Sequence, residues 1–132
     1  MLATIGNAIQ ARLEGLDAFK AVERGFSKRA LQSPPSAVFF LYDDEQVTDS
    51  PYAMRRLTWE IALLVSYLDP VKGQALMDDL VDQVRPALTD WRPAAQGCLP
   101  STVTRIRYEG VEEALLIYTV RVTMQVVPEK IL

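Results

Sequence analysis

Apolar side chains at Leu2, Ile5, Ile9, Leu13 and Leu16 recur every three or four residues, the spacing that lines one face of an α-helix. Residues 1–15 are therefore expected to form an amphipathic helix ending near Gly15. Phe19, Ala21 and Val22 make a short extended stretch closed by Arg24-Gly25, and Phe26 to Ser36 reads as a long loop through Ser33-Pro34-Pro35-Ser36. Ala37 to Tyr42 is a compact apolar and aromatic run stopped by Asp43-Asp44-Glu45, as expected of a buried strand opening onto a solvated turn.

Strict alternation marks the next segment. From Arg55 to Leu68, the side chains of Leu57, Trp59, Ile61, Leu63, Val65 and Tyr67 fall on one side and those of Arg56, Thr58, Glu60, Ala62, Leu64 and Ser66 on the other, which predicts a long strand with one apolar face. Asp69-Pro70 breaks it. Leu76, Leu80, Val84 and Leu88, supported by Met77 and Val81, then trace a helical stripe opposite Asp78, Asp79, Asp82 and Gln83, predicting a helix over 71–89. Pro86 lies inside that pattern and should kink the last turn, because it lacks an N–H and crowds the preceding carbonyl. After a loop holding Trp91, Pro93, Gly97 and Pro100, Thr102 to Tyr108 and Leu115 to Val127 read as a hairpin turning at Glu109-Gly110. Its second arm alternates Leu116, Tyr118, Val120, Val122, Met124 and Val126 with polar positions.

The predicted order is helix, short strand, strand, strand, helix, strand, strand, without a repeat or a low-complexity tract. Two amphipathic helices and a one-sided sheet bury their apolar faces against each other. The expected fold is α+β: a single two-layer domain over 1–132, with an antiparallel, possibly mixed, sheet of about four to five strands on two helices. The other sheet face is left exposed or given to a partner.

Composition narrows the function. At 132 residues, 49% hydrophobic and 23% charged, the chain matches one globular domain. A net charge of −3 offers no broad positive field for nucleic acid or an anionic bilayer. The lone Cys98 cannot form an intrachain disulfide, which suits a cytosolic site of folding. No stretch has the pattern of a signal peptide or a membrane span, so a soluble, unexported protein is expected.

Candidate chemistry is sparse. The chain has no histidine, which removes the commonest general base and metal ligand and every Ser-His or Cys-His pair. No Walker loop, G-x-G-x-x-G or G-x-S-x-G occurs. Asp78, Asp79 and Asp82 sit within a helical turn and could hold a hard cation, but also read as the solvated face of their helix. Asp43-Asp44-Glu45 lacks the spacing of a calcium loop, and no histidine is present to activate Cys98, so a catalytic thiolate would need another source of pKa depression. No catalytic residue, cofactor site or metal site is expected.

Arginines and loops are the better candidates. Paired about Glu109-Gly110, the hairpin would place Arg105, Arg107 and Arg121 on one polar face, where like charges cost stability unless anions lie near. Glu60 with water, or a partner's carboxylates, would satisfy them. Stretches 24–36, 43–54 and 89–100 lack periodicity, and loops this long are often functional. Phe26, Pro34, Pro35, Tyr52 and Trp91 lie there, suited either to an interface or to pinning the loops down.

The N-terminal helix, AVFFLY before an acidic run, the strand RRLTWEIALLVSYLD, the helix ALMDDLVDQVRPAL and the closing hairpin TVTRIRYEG with LLIYTVRVTMQV together resemble the small tail terminator and tail completion proteins of tailed bacteriophages, especially of Mu-like prophages. The likeness covers nearly the whole chain and rests on element order and strand texture, not on an invariant motif. It implies a non-enzymatic subunit assembled in the bacterial cytoplasm into a ring, typically a hexamer, in the virion tail or neck. Such a ring caps the tail tube, ends tube polymerisation and offers the head connector a joining surface. A closed ring needs complementary patches on two sides of each subunit, for which Asp43, Asp44, Glu45, Arg55 and Arg56 are available. Mild acidity would let DNA pass through without sticking. Alternatives are another small neck or minor tail protein, a ligand-binding or regulatory module with a pocket around Trp59 and Tyr67, and a metal-dependent enzyme using the Asp78 cluster.

Overall fold

A computed structural model describes residues 1–47 and 53–131. Helix α1 spans Leu2–Glu14 and buries Ile5, Ile9 and Leu13, the stripe its spacing predicts. Strand β1, Ala21–Arg24, follows. The stretch read as loop contains a short helix, α2, over Lys28–Gln32, whose N-cap Ser27 accepts a hydrogen bond from the Ala30 N–H at 3.3 Å. Five residues are too few to show a helical period, so the cap was the only signal.

Strand β2 covers Ser36–Gln46 and β3 covers Arg55–Ser66. The acidic run 43–45 therefore lies within a strand, after a register shift between Leu41 and Asp43, and is not a solvated turn. Helix α3 runs over Pro70–Ala87 with Asp69 as its N-cap, accepting from the Lys72 N–H at 3.2 Å. Pro70 occupies the first turn, where the missing N–H costs nothing. Pro86 lies in the last turn, one residue before the helix ends. The buried stripe is Gly73, Met77, Leu80, Val84 and Ala87, so Leu76 is a correction: it is 39% exposed.

Strands β4, Thr102–Glu112, and β5, Leu115–Val126, form the hairpin. Glu112 faces Leu115, so the turn is Glu113-Ala114, both at positive φ (50° and 61°), as a two-residue hairpin turn requires. Glu109-Gly110 is instead a bulge inside β4, with a second irregularity between Val103 and Arg105.

The five strands join one mixed sheet in the order β1-β2-β3-β5-β4, with β1 parallel to β2 and every other pair antiparallel. Helices α1 and α3 cover one face, where Phe39, Trp59, Leu63, Val120 and Val122 meet Ile9, Met77 and Leu80 in the main core. Helix α2 lies on the opposite face, burying Ala30 with Val38, Ala62 and Leu64. The domain is α+β as expected, with a third helix on the side assumed bare. Edge strand β4 has no neighbour on its outer side among the described residues.

Two buried hydroxyls tie loops to this frame. Ser36 donates to the Ala30 carbonyl at 2.6 Å, closing α2 onto β2. Ser101, 1% exposed, donates to the Leu88 carbonyl at 2.6 Å and accepts from the Trp91 N–H at 3.2 Å. Ser101→Ala leaves both groups unpaired in a dry site and is expected to cost about 1.5 kcal/mol in urea denaturation. An unchanged midpoint would remove Ser101 as an anchor.

Candidate functional site

Register decides which charged side chains meet. Because Arg105 faces Arg121 and Glu60 faces Arg121 from the other side, the three arginines Arg105, Arg107 and Arg121 share the sheet face away from α1 and α3. Glu60 accepts from Arg121 Nε at 3.1 Å, and the Arg121 guanidinium lies 4.0 Å from the Tyr42 ring centroid. The Glu60 hydrogen bond raises the Arg121 pKa above its ordinary value, keeping it charged. Arg107 pairs with Glu109 at 3.5 Å. Arg105 has no ion pair among the described residues and is exposed.

Glu60 thus anchors a cluster that would otherwise be cationic. Glu60→Gln is expected to lower thermal stability, and added salt should recover part of the loss by screening the arginines from one another. A cycle with Arg121→Gln should give a double variant less destabilised than the sum of the single ones. Strict additivity would show the pair to be uncoupled.

The acidic run and the arginines of β3 hold each other. Arg55 Nε donates to Asp44 Oδ1 at 2.8 Å and its second nitrogen to the other carboxylate oxygen. Arg56 reaches Glu45 at 3.3 Å, and Asp43 accepts from the Asp44 N–H at 3.0 Å. The two arginine–carboxylate pairs cross from β3 to β2 within one subunit, at one end of the sheet.

The loop candidates divide. Phe26 is 71% exposed with its ring 6.0 Å from that of Phe40 on the α2 side of the sheet. Pro34 and Pro35 are half-buried between α2 and β2, joined by a cis peptide, and the Pro35 carbonyl accepts from the Lys20 N–H at 2.8 Å. Trp91 is pinned: the Arg12 guanidinium stacks 5.5 Å from its ring centroid while donating to the Ala87 carbonyl at 2.9 Å. Tyr52 lies outside the described residues.

The remaining chemistry stays scattered. Asp78, Asp79 and Asp82 are exposed along α3, with Asp78 accepting from Gln74. Among the described residues no group of three or more Cys, Asp or Glu is arranged to hold a metal ion. Burial pushes the Cys98 thiol pKa up, opposed by a backbone hydrogen bond at Ala94. Trp59, proposed as a pocket wall, is fully buried against Phe39. Among the described residues no helix is long and apolar enough to cross a membrane.

What sequence reasoning missed is a cleft on the α2 side of the sheet, about 390 Å³ in volume, between Phe26 and Leu31 on one side and the β4–β5 turn on the other. Its walls come from segments too far apart in the chain to be joined without the register.

The architecture is a single α+β domain: a five-stranded mixed sheet with helices on both faces. It is shared by a chain in the solved virion of a native gene transfer agent (GTA) particle, with a TM-score of 0.60 and 15% identity over 96% of this chain and 93% of that one. At that identity the likeness is one of fold. No family model matches the chain, and no curated protein matches its sequence.

Proposed function

We propose that this chain is a structural subunit of a phage or phage-derived particle, performing no bond-making chemistry. It forms a ring, hexameric by resemblance, that caps the tail tube, ends tube polymerisation and joins the head connector. The observation that carries the proposal is the end-to-end fold likeness to a chain of a virion particle, covering nearly all of both chains. The order and texture of the elements, from the N-terminal helix to the closing hairpin, support the tail-terminator assignment within that class.

A ring built from one kind of subunit uses heterologous contacts, so each subunit must offer two different complementary patches. Arg105, exposed on the α2 side of the sheet, and Asp78, Asp79 and Asp82, on α3 behind the other face, lie on opposite sides of one domain, the arrangement that head-to-tail packing needs. With a net charge of −3, the ring would repel passing DNA.

Mixing the purified protein with the matching tail-tube protein tests the proposal. Electron microscopy should show rings and tubes of arrested length, and light scattering should show an assembly larger than a monomer. A strict monomer, alone and with tube protein, overturns it.

A further inference from the structure

The cleft on the α2 side of the sheet has a composition that the capping role does not use. Its apolar walls are Phe26, Leu31, Phe40, Leu64, Leu115 and Ile117. Glu60, Glu109, Glu112 and Glu113 are the charged residues of the lining, with no cation among them. Arg121 and Arg107 neutralise the first two from outside the cleft. Glu112 and Glu113 are exposed and make no ion pair among the described residues.

A second cleft of about 500 Å³ shares Leu31, Glu113 and Leu115 with the first and extends it to Pro34 and Leu68, with Lys28 the one cation in its lining. The two clefts thus lie side by side, an extent suited to a length of polypeptide more than to one compact ligand. Phe26, Leu31 and Leu68 are all exposed along it, and clustered exposed apolar side chains mark interaction sites. The unpaired carboxylates select the occupant's charge, because rim charges steer binding toward cations and repel acids.

We infer that this groove docks a segment of a partner protein carrying large apolar side chains flanked by lysine or arginine. The apolar side chains fill the floor over Leu64 and Ile117, and the cations lie against Glu112 and Glu113. Docking is read on the chain without tube protein, so its failure and the failure of ring formation are told apart.

The full chain, isotope-labelled at its isoleucine and leucine methyls, is titrated with a short synthetic peptide of leucine and arginine. Saturable shifts are expected at Leu31, Leu64, Leu115 and Ile117, with Ile5 and Leu80 in the opposite core unmoved. Glu112→Lys combined with Glu113→Lys should weaken binding about tenfold, the sum of two rim charges, while Asp78→Lys on α3 leaves it unchanged. Leu31→Ser, at an exposed position, provides a second arm that should also weaken binding. Absence of saturable shifts overturns the inference, as does equal binding of the same peptide with glutamate in place of arginine. Equal affinity for decanoate would assign the groove to small apolar ligands and overturn it. Shifts at the same methyls on raising protein concentration alone would assign it to a second copy, with the same result.

Discussion

Trp59→Ala is expected to destabilise the protein by about 3–5 kcal/mol, measured by circular dichroism in urea. Trp59 sits in the middle of central strand β3, fully buried, with the Phe39 ring 6.2 Å away and the Arg24 guanidinium 5.3 Å from its centroid. Truncation removes the largest side chain of the core and leaves a space that β2 and β5, both paired with β3 on either side of Trp59, cannot close into. Against a typical domain stability of about 5–15 kcal/mol, that loss takes much of the folded population. Trp59→Phe separates volume from polarity. The indole Nε1 is buried without a hydrogen-bond partner among the described residues, so phenylalanine deletes an unsatisfied donor and offsets part of the lost packing. Its cost should fall well below that of alanine. An alanine variant within about 1 kcal/mol of wild type would show that this core repacks freely.

The second large effect is expected at Gly73, where α3 first presses on the end of β3. A Cβ there would stand 2.8 Å from the Ser66 carbonyl oxygen and 2.9 Å from the Tyr67 ring. The first of these is main chain and cannot swing aside. Gly73→Val should therefore cost about 3 kcal/mol, toward the upper end of overpacking penalties. Gly73→Ala should cost less, because alanine's better helix propensity returns about 1 kcal/mol. Denaturation midpoints for the pair check the ordering, and a valine variant as stable as wild type would mean that α3 can lift away from the sheet.

Both positions lie in segments whose periodicity was legible. Helix α1 and strands β3 and β5 are long enough for a 3.6- or 2-residue period to declare itself, and the sheet's main apolar face follows from them. Elsewhere local chemistry misled. Asp43, Asp44 and Glu45 look like a turn because acids are rare in strands, yet here the strand outruns the core and cross-strand arginines neutralise Asp44 and Glu45. Glycine drew the hairpin turn to Gly110, whereas the chain turns at Glu113-Ala114, residues with no sequence preference for positive φ. Leu76 looked like core because the stripe was centred one position from Met77. The arginine cluster could be foreseen from alternation and Glu60 named as its counter-ion. The apolar groove could not, since Phe26, Leu31 and Glu112 meet only through the placement of α2 and the true hairpin register.

The two irregularities in β4, between Val103 and Arg105 and between Tyr108 and Gly110, bear on how such a molecule survives crowding. An open edge strand of 11 residues would otherwise offer a straight row of amides on which another chain could zip into a fibre. Each break swings the row out of line, so a copy arriving edge-on finds only a few amides in step before the match is lost. Any approach of one copy to another is thereby steered toward side-chain contacts, which close and stop, and away from backbone ladders, which have no natural end.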